Sequence, residues 1–146
     1  MGKKAGTKIW KVLVALDGSD MSDKVIKRSG QLAKSADFEV TLFTAIEAGI
    51  HFDDVPDDSQ FHRERQEKAG KILDKAKKTF NKYDIQCKTE IAMGPPAEEI
   101  VRFAEENHFD MIFMGSRGLG SLKRMLLGSV AEMVVKHAHC AVIIIR

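Results

Sequence analysis

Residues 111–145 read MIFMGSRGLGSLKRMLLGSVAEMVVKHAHCAVIII and hold, in order, a strand, a glycine-rich connection, a helix and a second strand. Met111–Met114 is wholly apolar and runs into the glycine-rich stretch Gly115–Gly128. A short helix is expected over Ser129–His137, and Ala141–Ile145 is again a brief apolar run. Strands that carry no polar alternation suit a parallel sheet covered by helices on both faces.

The same alternation continues upstream. Trp10–Leu16 (WKVLVAL) is strand-like and stops at Asp17-Gly18-Ser19-Asp20, a cluster of turn formers and helix caps. Val25, Ile26 and Leu32, with small Ser29 and Ala33, recur at helical spacing over Ser22–Ser35, while Lys24, Lys27, Arg28 and Lys34 take the other side. Glu39–Ile46 is a second strand. Glu47–Asp58, with Gly49, Pro56 and the acidic Asp53, Asp54, Asp57 and Asp58, is a polar surface loop. Phe61, Ala69, Ile72, Leu73, Ala76 and Phe80 stripe a charged helix over Ser59–Tyr83. Ile85–Ala92 is the third strand; Gly94-Pro95-Pro96 ends it, and a proline at the first helical position, then Glu98 and Glu99, opens a helix to Asn107. Strands alternating with helices, joined by right-handed crossovers, imply a doubly wound α/β fold with a mostly parallel sheet.

Composition bounds the function. A chain of 146 residues, 44% hydrophobic, suits one domain spanning 1–146. Basic and acidic side chains number 23 and 21 and are intermixed, which argues against nucleic-acid binding. Cys87 and Cys140 form no CxxC pair, so a reducing, cytoplasmic setting is expected. MGKKAGTKIW lacks the apolar stretch of a secretory signal, and Gly6 stands where a myristoylation motif needs Ser or Thr. No segment has the apolar length of a bilayer span, so no membrane association is expected.

Two turns at strand ends carry the chemistry. Gly115-Ser116-Arg117-Gly118, nine residues and then Gly128-Ser129 place glycines where a strand ends and where a helix begins. Glycines let backbone amides approach a ligand closely, and amides at a helix N-terminus favour phosphate. Arg117, Lys123 and Arg124 add positive charge. Such a stretch also serves as a plain tight connection with no ligand. The second turn is Ala15-Leu16-Asp17, and if the first and fourth strands are neighbours, both turns face one crevice at the topological switch point. Asp17 would there accept from a ribose hydroxyl or the base; its other reading is a helix cap. On the ligand reading, Gly118→Val or Gly128→Val fills space that phosphates need and leaves the fold intact.

With these residues in place the chain resembles the universal stress protein family, in its ATP-binding branch. The resemblance runs from VLVALDGS through GPPAEEIVRFAEE to MGSRGLGSLKRMLLGSVAEMVVKHAHCAVIIIR, and its specific part is G-x2-G-x9-G-[ST] at Gly115, Gly118, Gly128 and Ser129. It implies a five-stranded sheet of order 3-2-1-4-5 and adenine and ribose contacts from Ala15, Leu16, Asp17 and the backbone at Ala45. It further implies contacts around the ribose and phosphates from Met114, Gly115, Arg117, Gly118, Gly128, Ser129, Val130 and Ala131. Arg117 stands where the family often has His, and Ala131 replaces a hydroxyl residue, so the choice among ATP, ADP and AMP stays open. The implied ligand is ATP with magnesium carried on its phosphates.

No catalytic residue is assigned. A P-loop needs Gly-Lys-[Ser/Thr] at the helix start, whereas here Gly128-Ser129-Val130 stands without the lysine, so slow or negligible hydrolysis is expected. His137, His139 and Cys140 invite a metal reading, but neighbouring side chains on a strand-entry segment diverge and no metal site is assigned. Trp10 is expected to pack at the sheet edge. The apolar run 141–145 suits an uncovered edge that pairs with a second copy, and the resemblance likewise implies a homodimer. The rival reading is a nucleotide-free dimeric adaptor of the same fold, acting through a downstream protein partner. A phosphoacceptor receiver would need an Asp after the third strand, where Met93-Gly94 stands, and a flavodoxin-like carrier would need hydroxyls where Asp17 and Asp20 would repel phosphate.

Overall fold

The computed structural model describes residues 8–47, 58–118 and 127–146. The acidic loop with His51, Asp53, Asp54 and Asp57, the cations Lys123 and Arg124, and the first seven residues lie outside the described residues. Among the described residues nine elements alternate: β1 (Trp10–Ala15), α1 (Asp20–Ser35), β2 (Phe38–Ile46), α2 (Asp58–Lys82), β3 (Cys87–Met93), α3 (Pro96–Glu106), β4 (Met111–Gly115), α4 (Ser129–His137) and β5 (Ala141–Ile145). The strands form one sheet in the order β3-β2-β1-β4-β5, and every pairing is parallel.

Side chains alternate across each strand, so the sheet divides the interior in two. Val12, Val14, Val40 and Leu42 pack with Val25 and Ile26 of α1 and Leu73, Ala76 and Phe80 of α2. Leu13, Ala15, Phe43 and Ile112 pack on the other face with Ile100 and Ala104 of α3 and Ala131 and Val134 of α4. Valine and leucine, neighbours in sequence, thus enter different cores, which explains why β1 shows no polar alternation.

Several expectations shift. α1 starts at Asp20 rather than Ser22, because extended Ser19 is the cap residue and Asp20 and Asp23 fill the first turn, where carboxylates suit the helix dipole. β3 starts at Cys87 rather than Ile85: Asp84 takes a positive φ of 58°, and the Ile85 amide is drawn back to the Phe80 carbonyl at 3.1 Å. Leu32, read as part of the buried face of α1, is 45% exposed, since Val25, Ile26, Ser29, Gly30 and Ala33 make that face; Gly30 leaves room for the Tyr83 ring. Phe61 likewise lies outside the α2 stripe, exposed beneath the Arg65 guanidinium. Trp10 is not at the sheet edge. It opens the central strand, with Lys8 Nζ 5.0 Å from its ring centre.

Asp110 secures the central pairing at the amino ends of the strands. Its carboxylate accepts from Lys8 Nζ at 2.6 Å and from the Lys11 amide at 2.8 Å, and its own amide donates to the Lys11 carbonyl at 2.8 Å. The clamp holds β1 beside β4 in the register Val12↔Met111 to Val14↔Phe113. The opposite ends of the same strands bear the crevice.

Candidate functional site

At the carboxyl ends of the strands a cavity of about 370 Å³ opens where the chain order reverses between β1 and β4. All the residues expected from sequence line it. Ala15, Leu16 and Asp17 come from the end of β1, Ala45 from β2, and Met114, Gly115, Arg117 and Gly118 from the end of β4 and its connection. Gly128, Ser129, Val130 and Ala131 come from the start of α4. Main-chain bonds hold these ends together: the Leu16 amide donates to the Phe43 carbonyl at 2.8 Å, Ser116 to Ile145 at 2.8 Å and Gly128 to Ser116 at 2.6 Å.

Asp17 is held in place by its own turn. Its Oδ1 accepts from Ser22 Oγ at 2.9 Å and from the Ser19 amide at 2.9 Å, while Ser22 Oγ accepts from the amides of Asp17 and Gly18 at 3.0 and 3.1 Å. The carboxylate therefore closes the turn into α1, although Ser19 rather than Asp17 is the cap residue.

The glycines have partners that the sequence did not disclose. A Cβ on Gly115 would press on the Met21 side chain, and one on Gly118 would stand 2.5 Å from Asp17 Oδ2. A side chain at Gly118 therefore meets the Asp17 carboxylate, which must shift to admit it. Gly128, by contrast, is the buried N-cap of α4, in extended conformation (φ −70°, ψ 163°). Among the described residues no side chain caps this helix, whose first turn lines the cavity. Ala131 is buried in the core beneath, which explains how the position does without a hydroxyl.

Sequence reasoning missed the wall supplied by α2. Arg65, Lys68, Ala69 and Ile72 line the cavity, as do Thr44, Ile46 and Glu47 at the end of β2 and Pro96 at the start of α3. Arg65 Nη1 donates to the Glu47 carbonyl, and its guanidinium carbon sits 4.1 Å from the centre of the Phe61 ring. Because α2 carries lysine and arginine on most of its surface, only the i, i+3 placement of Arg65 and Lys68 marks them as facing together. Elsewhere, His139 Nε2 lies 3.5 Å from Glu105 Oε2, and among the described residues no group of three or more His, Cys, Asp or Glu gathers as metal ligands.

The cavity thus sits at the switch point of a parallel sheet, with the Asp17 carboxylate and the first turn of α4 in its lining. The profile of the Universal stress protein family matches residues 9–146. The chain belongs to this family. It is 36% identical over 139 residues to Universal stress protein MJ0531 of Methanocaldococcus jannaschii, covering 93% of this chain and 81% of that protein. Among solved structures, the hypothetical protein MJ0577 superposes with a TM-score of 0.79 at 28% identity, covering 92% of this chain and 94% of the other. The universal stress protein from Archaeoglobus fulgidus in complex with dAMP has the same fold, with a TM-score of 0.71 at 23% identity, and the match covers 94% of this chain and 98% of that one.

Proposed function

We propose that this universal stress protein binds an adenine nucleotide, ATP in the first place, in the cavity at the carboxyl ends of β1, β2 and β4, and that it acts in a cytoplasmic stress response through the occupied site. The observation that carries this reading is the convergence on one cavity of four segments distant in sequence: Ala15–Asp17, Ala45, Met114–Gly118 and Gly128–Ala131. The chemistry is complementary. Asp17 offers acceptor oxygens to ribose hydroxyls, apolar Ala15, Leu16 and Met114 suit a purine face, and Arg117 with the α4 amides suits an anionic tail. Magnesium would arrive on the phosphates. A relative of the same fold in complex with dAMP supports the nucleotide class.

Turnover is not part of the proposal. Among the described residues Asp17 and Glu47 are the carboxylates that line the cavity, and Asp17 Oδ1 already has two donors, which leaves it poorly placed to activate water. Heating the purified protein and identifying the released small molecules, together with calorimetric titration of ATP, ADP and AMP, tests the reading. A stoichiometric adenine nucleotide supports it; no released nucleotide and no heat of binding would favour a nucleotide-free adaptor that works through a protein partner.

We further propose that a second copy pairs with β5 to form a homodimer. Val142–Ile145 are only half-buried at the sheet edge, and Met133 and Val135 of neighbouring α4 are 41% and 48% exposed. Sedimentation of the wild-type chain and of Ile144→Lys decides the matter. A monomeric wild-type protein would rule the dimer out.

A further inference from the structure

β3 and β5 are the two edges of the sheet, and β3 is the longer. It pairs with β2 without a break from Val40↔Cys87 to Ile46↔Met93, so it carries no bulge, and Cys87–Met93 contains no proline. Bulges and prolines are among the devices that blunt a sheet edge. Lys88, Thr89, Glu90 and Ile91 are exposed in a row. The Gly94 amide donates to the Ile46 carbonyl at 2.9 Å, which turns the main chain of Gly94 toward β2 and, by alternation, that of Ala92, Glu90 and Lys88 as well. The amides and carbonyls of Cys87, Thr89 and Ile91 therefore face outward, and among the described residues no strand pairs with them.

We propose that β3 pairs antiparallel with β3 of a second copy of this chain, about a two-fold axis through Thr89. Charge decides the register. Outward-facing residues must oppose outward-facing ones, so the possible registers differ by steps of two residues. With Thr89 opposite itself, Cys87 faces Ile91 of the second copy, and each such pair exchanges two main-chain hydrogen bonds. Lys88 then faces Glu90 in both directions, at the non-hydrogen-bonded positions where side chains stand closest. Lys88 Nζ lies 3.1 Å from Glu39 Oε1 on β2, so Glu90 of the second copy extends that pair into a row of alternating charge across three strands. A shift of one step sets Glu90 against Glu90 in one direction and Lys88 against Lys88 in the other, and like charges directly opposite are destabilising. A lysine on an edge strand commonly guards against pairing; here a glutamate two positions on, on the same face of the sheet, makes the edge complementary to itself. The pairing also covers Ile91, which is 37% exposed. Because β5 is the opposite edge, neither the β5 dimer nor the nucleotide reading is needed for it.

Sedimentation of the wild-type chain does not tell the two edges apart, so the test uses Ile144→Lys, which places a charge on β5, alone and combined with Lys88→Glu, Glu90→Lys or both, over a concentration series with thermal melting as a check of folding. The Ile144→Lys chain is expected to dimerise as concentration rises. Each single reversal on β3 turns two attractive pairs into two repulsive ones and should weaken that dimer by about tenfold or more. The double exchange should restore it, and so should mixing the two single reversals, since each then meets its opposite sign in the other. In the otherwise wild-type chain, Thr89→Cys should form a disulfide with Thr89→Cys of a second copy under mild oxidation, identified by mass spectrometry, whereas Met93→Cys should not link to itself. An Ile144→Lys chain that stays monomeric while Thr89→Cys fails to link would overturn the proposal. Single reversals without effect, or a loss that the double exchange does not recover, would overturn it as well and would assign the edge to a strand of a different protein or to none.

Discussion

A β-carbon on Gly118 would stand 2.5 Å from Oδ2 of Asp17, so the connection after β4 closes against the carboxylate that ends β1. Gly118→Ala must therefore turn the Asp17 carboxylate, whose Oδ1 holds Ser22 Oγ and the Ser19 amide at 2.9 Å. The two positions should be coupled: Gly118→Ala should cost less stability in an Asp17→Ala background than alone, with a coupling energy of about 0.5–3 kcal/mol. A double-mutant cycle by urea unfolding measures it. Additive effects would show that the two sites do not press on one another.

Asp17 and Arg117 both line the cavity, from β1 and from the connection after β4, and should fail differently. Asp17→Ala is expected to weaken adenosine and ATP alike by about tenfold, because the loss falls on the part common to both ligands. It should also lower stability by about 1 kcal/mol through the orphaned Ser22 and Ser19 groups. Arg117→Ala should penalise ATP more than adenosine. Identical ratios in both variants, by titration, would refute the division.

The clamp at Asp110 predicts an acid-sensitive contribution to stability. Its hydrogen bond from Lys8, then that from the Lys11 amide, holds the carboxyl below its ordinary value of 3.8. A carboxyl depressed on folding stabilises the native state above the unfolded-state value, and that contribution is lost as pH falls through the folded value. Asp110→Asn should therefore be less stable than wild type at about pH 7, with the gap narrowing at about pH 2.5. A gap independent of pH in urea titrations would count against the clamp.

Burial raises the Cys87 thiol to about 12, outweighing the opposing field of Lys77, and burial also raises Cys140, to which Asp110 adds. From an ordinary value of 9.0, a rise of that size leaves about a thousandfold less Cys87 thiolate at neutral pH. Cys87 in the native protein should react with iodoacetamide far more slowly than in the urea-unfolded chain. Equal rates by mass spectrometry would contradict its burial.

The doubly wound fold was legible because strands such as β4 and β5 are apolar runs bounded by turn formers and alternate with helical patterns, and the span of α4, Ser129–His137, follows from its glycine and its basic last turn. What escaped was set by neighbours distant in sequence. Leu32 fits a helical stripe as well as Val25 does; only the docking of Tyr83 against Gly30 decides which side is covered. Gly118 reads as a space for ligand until the tertiary structure brings Asp17 against it. The α2 wall was hidden for a related reason, since Lys68 resembles every other lysine of that helix until the cavity singles it out.

The division of β1 between two cores has a consequence for how such a chain can vary. Val12 and Val14 belong to one interior, Leu13 and Ala15 to the other, so deleting or inserting a single residue within Trp10–Ala15 would swap the allegiance of everything downstream in the strand. It would also carry Asp17 to the wrong face of the crevice. Drift in this strand can exchange one aliphatic group for another, but its length is frozen.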